Sequence, residues 1–235
     1  MKLKNKVIII TGASDGVGKQ IALRLAKENT KLALIGRNEK RLNEVSKEVK
    51  DLGTIDVKSY TCDICQTDKL EKTIKLIISD FTNVDILINC AGIWQKLMPI
   101  EEIKKEVINE VIETNLSALI HITKLILPNL KNQKEAAIIN IVSKSGVIAQ
   151  KGQSVYTASK YGVRGFTEVL KADLKESNVR VAGVYQSGTN TKMFEKTKES
   201  VPTEKFTNPA DLADVITYML SRPEKIWLHD VGVEY

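Results

Sequence analysis

Tyr156 and Lys160 stand four residues apart in Tyr156-Thr157-Ala158-Ser159-Lys160. At helical spacing both side chains lie on one face. A free phenol has a pKa near about 10, so proton exchange near neutral pH needs a neighbouring cation that favours the phenolate. Lys160 is placed to be that cation, and the pair suits acid and base work at an oxygen. A second feature is Thr11-Gly12-Ala13-Ser14-Asp15-Gly16-Val17-Gly18, with glycine at three of eight positions. Such a turn lets the backbone approach a pyrophosphate, while the helix after it offers N–H groups. Its spacing, Gly-x-x-x-Gly-x-Gly, is neither the commoner Gly-x-Gly-x-x-Gly nor a P-loop ending in Gly-Lys-Ser/Thr. Dinucleotide binding is the reading favoured over ATP; a tight turn that only joins a strand to a helix is the plainer alternative.

The elements that must hold these residues alternate regularly. Val7–Ile10 is a β-branched run without polar alternation, as in a parallel strand covered on both faces. Helical spacing follows over Val17–Glu28, then an apolar strand over Lys31–Gly36. The alternation continues with a helix over Glu39–Lys50, a strand over Val57–Cys62, a helix over Asp68–Asp80 and a strand over Val84–Cys90. A long helical region over Glu102–Leu130 precedes a strand over Ala137–Val142, a helix over Ser154–Lys175 and a strand over Val179–Tyr185. A helix over Pro209–Ser221 and a strand over Ile226–Val233 close the pattern. The expected fold is α/β, a doubly wound three-layer sandwich with a seven-stranded parallel sheet and right-handed crossovers. One unit is expected over 1–235, with a polar stretch around 187–208 as a substrate loop or lid.

The 235 residues are 43% hydrophobic and 27% charged, which argues against disordered, collagen-like and coiled-coil classes. The net charge of +6 is spread from Lys2 to Lys225 and interleaved with acids, so nucleic acid is not an expected partner. The apolar run ending at Ile10 is too short for a signal-peptide core or a membrane span, so neither export nor a membrane anchor is expected. Cys62, Cys65 and Cys90 are an odd number in a chain that does not need disulfides, pointing to the cytoplasm. Cys62-Asp63-Ile64-Cys65 has a metal-site spacing, but only His121 and His229 remain as soft ligands in other elements, so no metal is expected. His121 is expected to be packed in its helix or to lie at a subunit contact.

With Thr11-Gly12-x-x-x-Gly16-x-Gly18, Asn89-Cys90-Ala91-Gly92, Asn115, Ser143 and Tyr156-x-x-x-Lys160 in this order, the sequence resembles the short-chain dehydrogenase/reductase family from about Lys4 to its last strand. The resemblance implies that Lys160 holds the nicotinamide ribose, that Ser143 bonds the substrate oxygen, and that Asn115 orders a water in a relay from the lysine. It places Gly12, Ser14, Asp15, Gly16, Val17 and Gly18 at the pyrophosphate and Asp63 and Ile64 beside the adenine. Asn89, Ala91 and Gly92 would approach the ribose and support the sheet. The family's Pro-Gly pair after the sixth strand is replaced by Gln186-Ser187, although Thr191 matches the usual threonine; Ser187, Thr189 and Thr191 are candidate nicotinamide contacts. Trp94, Leu97 and Met98 fall where relatives place substrate-facing residues; they line a pocket or merely cover a helix.

Cofactor choice turns on the end of the second strand, where an acid would favour a ribose 2′-hydroxyl. Gly36-Arg37 stands there instead, so NADP(H) is expected, with NAD(H) possible because Asp15 opposes a phosphate. Arg37 is either that phosphate anchor or a solvated charge at a helix start. The resemblance implies hydride transfer between nicotinamide and a ketone, oxo-ester or oxoacyl substrate, in a homodimer or homotetramer. Two other readings stand beside it. A dinucleotide-binding sensor or interaction protein with little turnover would suit the altered Gln186-Ser187 turn. A nucleotide-sugar epimerase or dehydratase needs a large C-terminal domain, and only 44 residues follow Thr191.

Overall fold

In the computed structural model, residues 1–223 and 225–234 are described. The expectation of one unit over 1–235 also reaches Glu224 and Tyr235, which lie outside the described residues. β1 (Val7–Thr11), α1 (Gly16–Ala26), β2 (Lys31–Gly36), α2 (Glu39–Asp51), β3 (Asp56–Thr61), α3 (Thr67–Phe81) and β4 (Ile86–Asn89) make the first half. The second half holds α4 (Lys105–Ile112), α5 (Ala118–Lys131), β5 (Ala136–Ile141), α6 (Ser154–Asp173), β6 (Val179–Gln186), α7 (Pro209–Ser221) and β7 (Asp230–Val233). The seven strands form one parallel sheet in the order β3-β2-β1-β4-β5-β6-β7. The expected doubly wound α/β architecture is the one observed.

Strand alternation divides the core into two layers. Ile8 and Ile10, Leu32 and Leu34, and Ile86 and Ile88 point to one face, where α1, α2 and α7 supply Leu25, Leu42 and Ile216. Val7 and Ile9, Ala33 and Ile35, and Leu87 point to the other, against Ile77 of α3, Ile122 of α5 and Leu170 of α6. Because both faces are covered, the central strands can be apolar at every position.

Two segments differ from expectation. The long helical region over 102–130 is divided: a 3-10 turn over Ile100–Glu102 leads to α4, and a π turn over Glu113–Ser117 joins α4 to α5. A π turn inserts a residue into the helical repeat. Here it turns both Thr114 and Asn115 into the interior. The last strand begins at Asp230 rather than Ile226. Ile226 is turned toward solvent, and Trp227 reaches β6 through its indole N–H, which donates to the Val181 carbonyl at 3.0 Å. Backbone pairing starts only at Gly183 and Asp230. Among the described residues no helix is long and apolar enough to cross a membrane.

Candidate active site

The cleft opens where the strand order reverses, between β1 and β4, at the C-terminal ends of the strands. The Thr11 hydroxyl accepts from the Cys90 and Ala91 amides, both at 3.0 Å, joining the two strand ends. Gly12 has φ of 68°, and a Cβ on it would stand 2.9 Å from the Cα of Ala91. A Cβ on Gly18 would lie 2.4 Å from the Gly12 carbonyl oxygen, so helix α1 packs on the turn only with glycine there. Asp15 caps α1, accepting from the Gly16 amide at 2.8 Å, and its other oxygen pairs with Arg41 at 3.1 Å. Val17 packs on the core, while Ser14 lies against Gly36 at the end of β2. Arg37 follows on the surface. Asp63 accepts from the Cys65 amide at 3.1 Å within its turn, and Ile64 is packed in the core.

Tyr156, Ser143, Lys160 and Asn115 do converge. The Ser143 side chain is the polar group that acts on the Tyr156 phenol, and the Lys160 ammonium lies 5.7 Å from the centre of the Tyr156 ring. Tyr156 and Lys160 are only 6% and 5% exposed. Burial pushes the phenol up to about 12, opposed by the Ser143 side chain. Burial likewise lowers Lys160 to about 8, with the neighbouring Cys90 as the minor opposing influence. Lys160 donates to the Ile141 carbonyl at 3.0 Å. Ser143 is the influence that opposes the rise of the phenol, and the Lys160 ammonium stands beside the ring. Ser143 itself has φ of 102°, a strained conformation for a residue with a side chain, and its hydroxyl accepts from the Ser145 amide.

Asn115 uses its side chain for position. Its Oδ1 accepts from the Ile93 amide at 2.8 Å, and its Nδ2 donates to the Ile93 carbonyl and to the Ser159 hydroxyl. Gly92 passes between Asn115 and Lys160, where a Cβ would stand 3.3 Å from the amide oxygen and 3.8 Å from Nζ. The Asn89 side chain instead turns inward to Thr123 and Asn140, tying β4 to β5 and α5. His121 is exposed on α5, outside this group and not packed.

The segment after β6 returns across the cleft. Thr191 lies against the glycine turn, its Cγ2 at 3.3 Å from where a Gly16 Cβ would be. Thr189 bridges to Thr207, closing the base of the 187–208 loop. The Ser187 amide donates to the Val233 carbonyl, while Ser187 Oγ and Gln186 Oε1 are buried without hydrogen-bond partners. A glycine cradle with unsatisfied buried polar atoms at its far end fits a nicotinamide dinucleotide.

A family model described as short chain dehydrogenase matches residues 6–202. The chain belongs to the short-chain dehydrogenase/reductase family. It is an NAD(P)-dependent oxidoreductase of that family. It is 30% identical over 233 residues to an uncharacterized oxidoreductase of Staphylococcus epidermidis, covering 99% of this chain and 98% of the relative. It is also 30% identical to a 3-oxoacyl-acyl-carrier-protein reductase of Thermotoga maritima, over 94% of this chain and 92% of that one. A solved metagenomic short-chain oxidoreductase in complex with NADP superimposes with a TM-score of 0.87, at 26% identity, over 99% of this chain and 98% of that one.

Three residues of this dehydrogenase site have no counterpart in the sequence reading. Gln95, 1% exposed, accepts from the Val155 and Tyr156 amides at 3.1 and 3.0 Å and donates to the Gly152 carbonyl. The first N–H groups of a helix have no partner within it. Gln95 supplies one from another loop, and so fixes the turn that carries Tyr156. Arg41 is visible only once Asn38 is seen to cap α2, accepting from the Arg41 amide at 3.0 Å. Glu199 crosses from the loop to Trp94 and Leu97 at 2.6 and 3.0 Å, a contact between residues 105 and 102 positions apart. Gln95→Leu should remove the acceptor from two amides, lowering stability by about 1–3 kcal/mol. A thermal melt that matches the unaltered protein would show that the cap does not act this way.

Proposed function

We propose that the protein catalyses reversible reduction of a ketone, oxo-ester or oxoacyl carbonyl, with NADP(H) preferred. The observation that carries this reading is the burial together of Tyr156, Ser143 and Lys160, with the lysine Nζ 5.7 Å from the centre of the phenol ring and Gly92 beside it. A bound nicotinamide supplies the hydride for reduction or accepts it for oxidation. Ser143 donates a hydrogen bond to the substrate oxygen as negative charge develops there, and Tyr156 gives that oxygen its proton. A phenol pushed up to about 12 is fully protonated at neutral pH, the state reduction requires. Lys160, lowered to about 8, is positioned to return a proton to the phenolate and to hold a ribose hydroxyl. Asn115 keeps Gly92 and Ile93 in place beside Lys160.

The preference for a 2′-phosphate is supported at the rim. Asp15 is paired with Arg41 at 3.1 Å, and Arg37 lies exposed at the end of β2. Gly12, Gly16, Gly18, Ala91 and Gly92 would line the pyrophosphate and ribose, and Ser187, Thr189 and Thr191 the nicotinamide amide. The bound NADP of the metagenomic relative and the oxoacyl substrate named for the Thermotoga reductase point the same way. The loop over 187–208 serves as the substrate lid. Three free cysteines suit a reducing cytoplasm. The dimer or tetramer is carried by α5 and α6, which present an apolar groove lined by Ile120, Leu127, Pro128, Phe166 and Leu170.

Tyr156→Phe is expected to bind NADPH as before while losing at least about a hundredfold in turnover, the scale of one general acid; unaltered turnover would refute the assignment. Titrated separately and followed by nicotinamide fluorescence, NADPH should bind more tightly than NADH. Arg37→Ala should weaken NADPH by about tenfold and leave NADH unchanged. Equal weakening of both would remove Arg37 from phosphate recognition. Light scattering should return two or four times the mass of one chain; a single-chain mass would rule out the assembly.

A further inference from the structure

Trp94 touches the proton donor, yet no step above uses it. Its ring centre lies 4.6 Å from that of Tyr156 at 63°. Phe194, from the 187–208 loop, meets Trp94 at 5.2 Å and 68°, and Phe206 meets Phe194 at 5.9 Å. The indole N–H donates to one Glu199 oxygen at 2.6 Å, and the other oxygen accepts from the Leu97 amide at 3.0 Å. Thr197 adds a third donor at 2.8 Å. A half-buried carboxylate is costly unless its oxygens are satisfied. Here they are satisfied by the loop itself and by the segment after β4, so Glu199 joins the two over Tyr156. Leu97, Val147 and Ile148 are exposed apolar residues of the neighbouring loops.

We propose that Trp94, oriented by Glu199, determines specificity: it occupies the place beside Tyr156 that the substituent of the carbonyl must take, and selects a flat aromatic substituent over a small alkyl one. This rests on the reading of Tyr156 as proton donor. For a substrate to reach the phenol, the Trp94 ring must give up its edge contact with Tyr156. Rings held edge to face or offset gain more than the area they bury. An aryl group restores that gain against Trp94 and Phe194; a methyl group offers only its small area. Glu199, bonded to the indole N–H, keeps the ring at the cleft to receive the aryl group once the contact with Tyr156 is given up.

The test uses the full chain, NADPH and two 2-oxo-esters that differ only beside the ketone, ethyl benzoylformate and ethyl pyruvate. The wild type should favour the phenyl compound in kcat/KM by about tenfold. Trp94→Ala and Glu199→Ala should each reduce that ratio to about threefold or less, whereas Glu199→Gln, which keeps an acceptor for the indole, should preserve most of it. NADPH affinity should stay the same in all three. Damage to the fold would instead depress both esters and NADPH binding together and leave the ratio unmoved. A ratio that survives both alanine variants, or a wild type that prefers pyruvate, overturns the inference while reduction itself stands. A wild type that binds NADPH but reduces neither ester overturns the inference, and one that in addition reduces no simple ketone or oxoacyl thioester overturns the carbonyl-reduction reading with it.

Discussion

The Thr11 hydroxyl, 2% exposed, accepts from two consecutive amides at the start of the segment after β4, and the site depends on that junction. Parallel strands β1 and β4 send their helices to opposite faces of the sheet, so a crevice opens between their ends. A polar clamp across a crevice would ordinarily loosen in water. Buried here, it draws Ala91 so close to Gly12 that no Cβ fits between them. That closeness brings the 92–95 segment under α6, where Asn115 holds Ile93 and Gln95 holds the Tyr156 amide. The glycine turn and the phenol, 144 residues apart between Gly12 and Tyr156, thus share one support.

Burial then sorts the proton chemistry. Removing water disfavours phenolate and ammonium alike, which is why Tyr156 rises and Lys160 falls. The two shifts have opposite uses. In the proposed reaction the first would keep the proton on the phenol until negative charge develops in front of it, and the second would make Lys160 a readier donor than a solvated lysine. The Ser143 φ of 102° is accepted because Val142 and Ser143 are held to Val184 of β6 on one side and the Ser145 amide donates to its hydroxyl on the other.

The seven-stranded parallel sheet and the meeting of Tyr156, Ser143, Lys160 and Asn115 were legible because each is encoded locally or by spacing. Apolar runs such as Val7–Ile10 define buried parallel strands, and the four-residue step from Tyr156 to Lys160 survives any detail of packing. The π turn over Glu113–Ser117 was not legible. It adds one residue to a helical repeat whose apolar spacing still resembles a continuous helix, and the tertiary demand for a buried Asn115 decides it. Ile226 was misplaced into a strand for a related reason, since β propensity says nothing of whether a partner lies alongside. Gln95, a buried amide in a loop, has no sequence signature at all; its partners lie 60 and 61 residues away.

The charges at the rim follow one rule that sequence distance conceals. A carboxylate at Asp15 satisfies the start of α1, where helix polarity favours negative charge. The same polarity would favour a phosphate, so Asp15 and an anionic cofactor compete for one helix terminus. Arg41 pairs with Asp15 without withdrawing the cap, which would ease that competition, and Arg37 lies exposed nearby. Glu199 is handled in the same way on the opposite rim. Burial works against its charge, but donors from Leu97, Thr197 and Trp94 outweigh that cost and hold the carboxyl below its usual range. In each case an acid is retained beside a site meant for other anions or apolar groups because its charge is already committed to joining two segments. The acid therefore shapes the rim without dictating what binds within it.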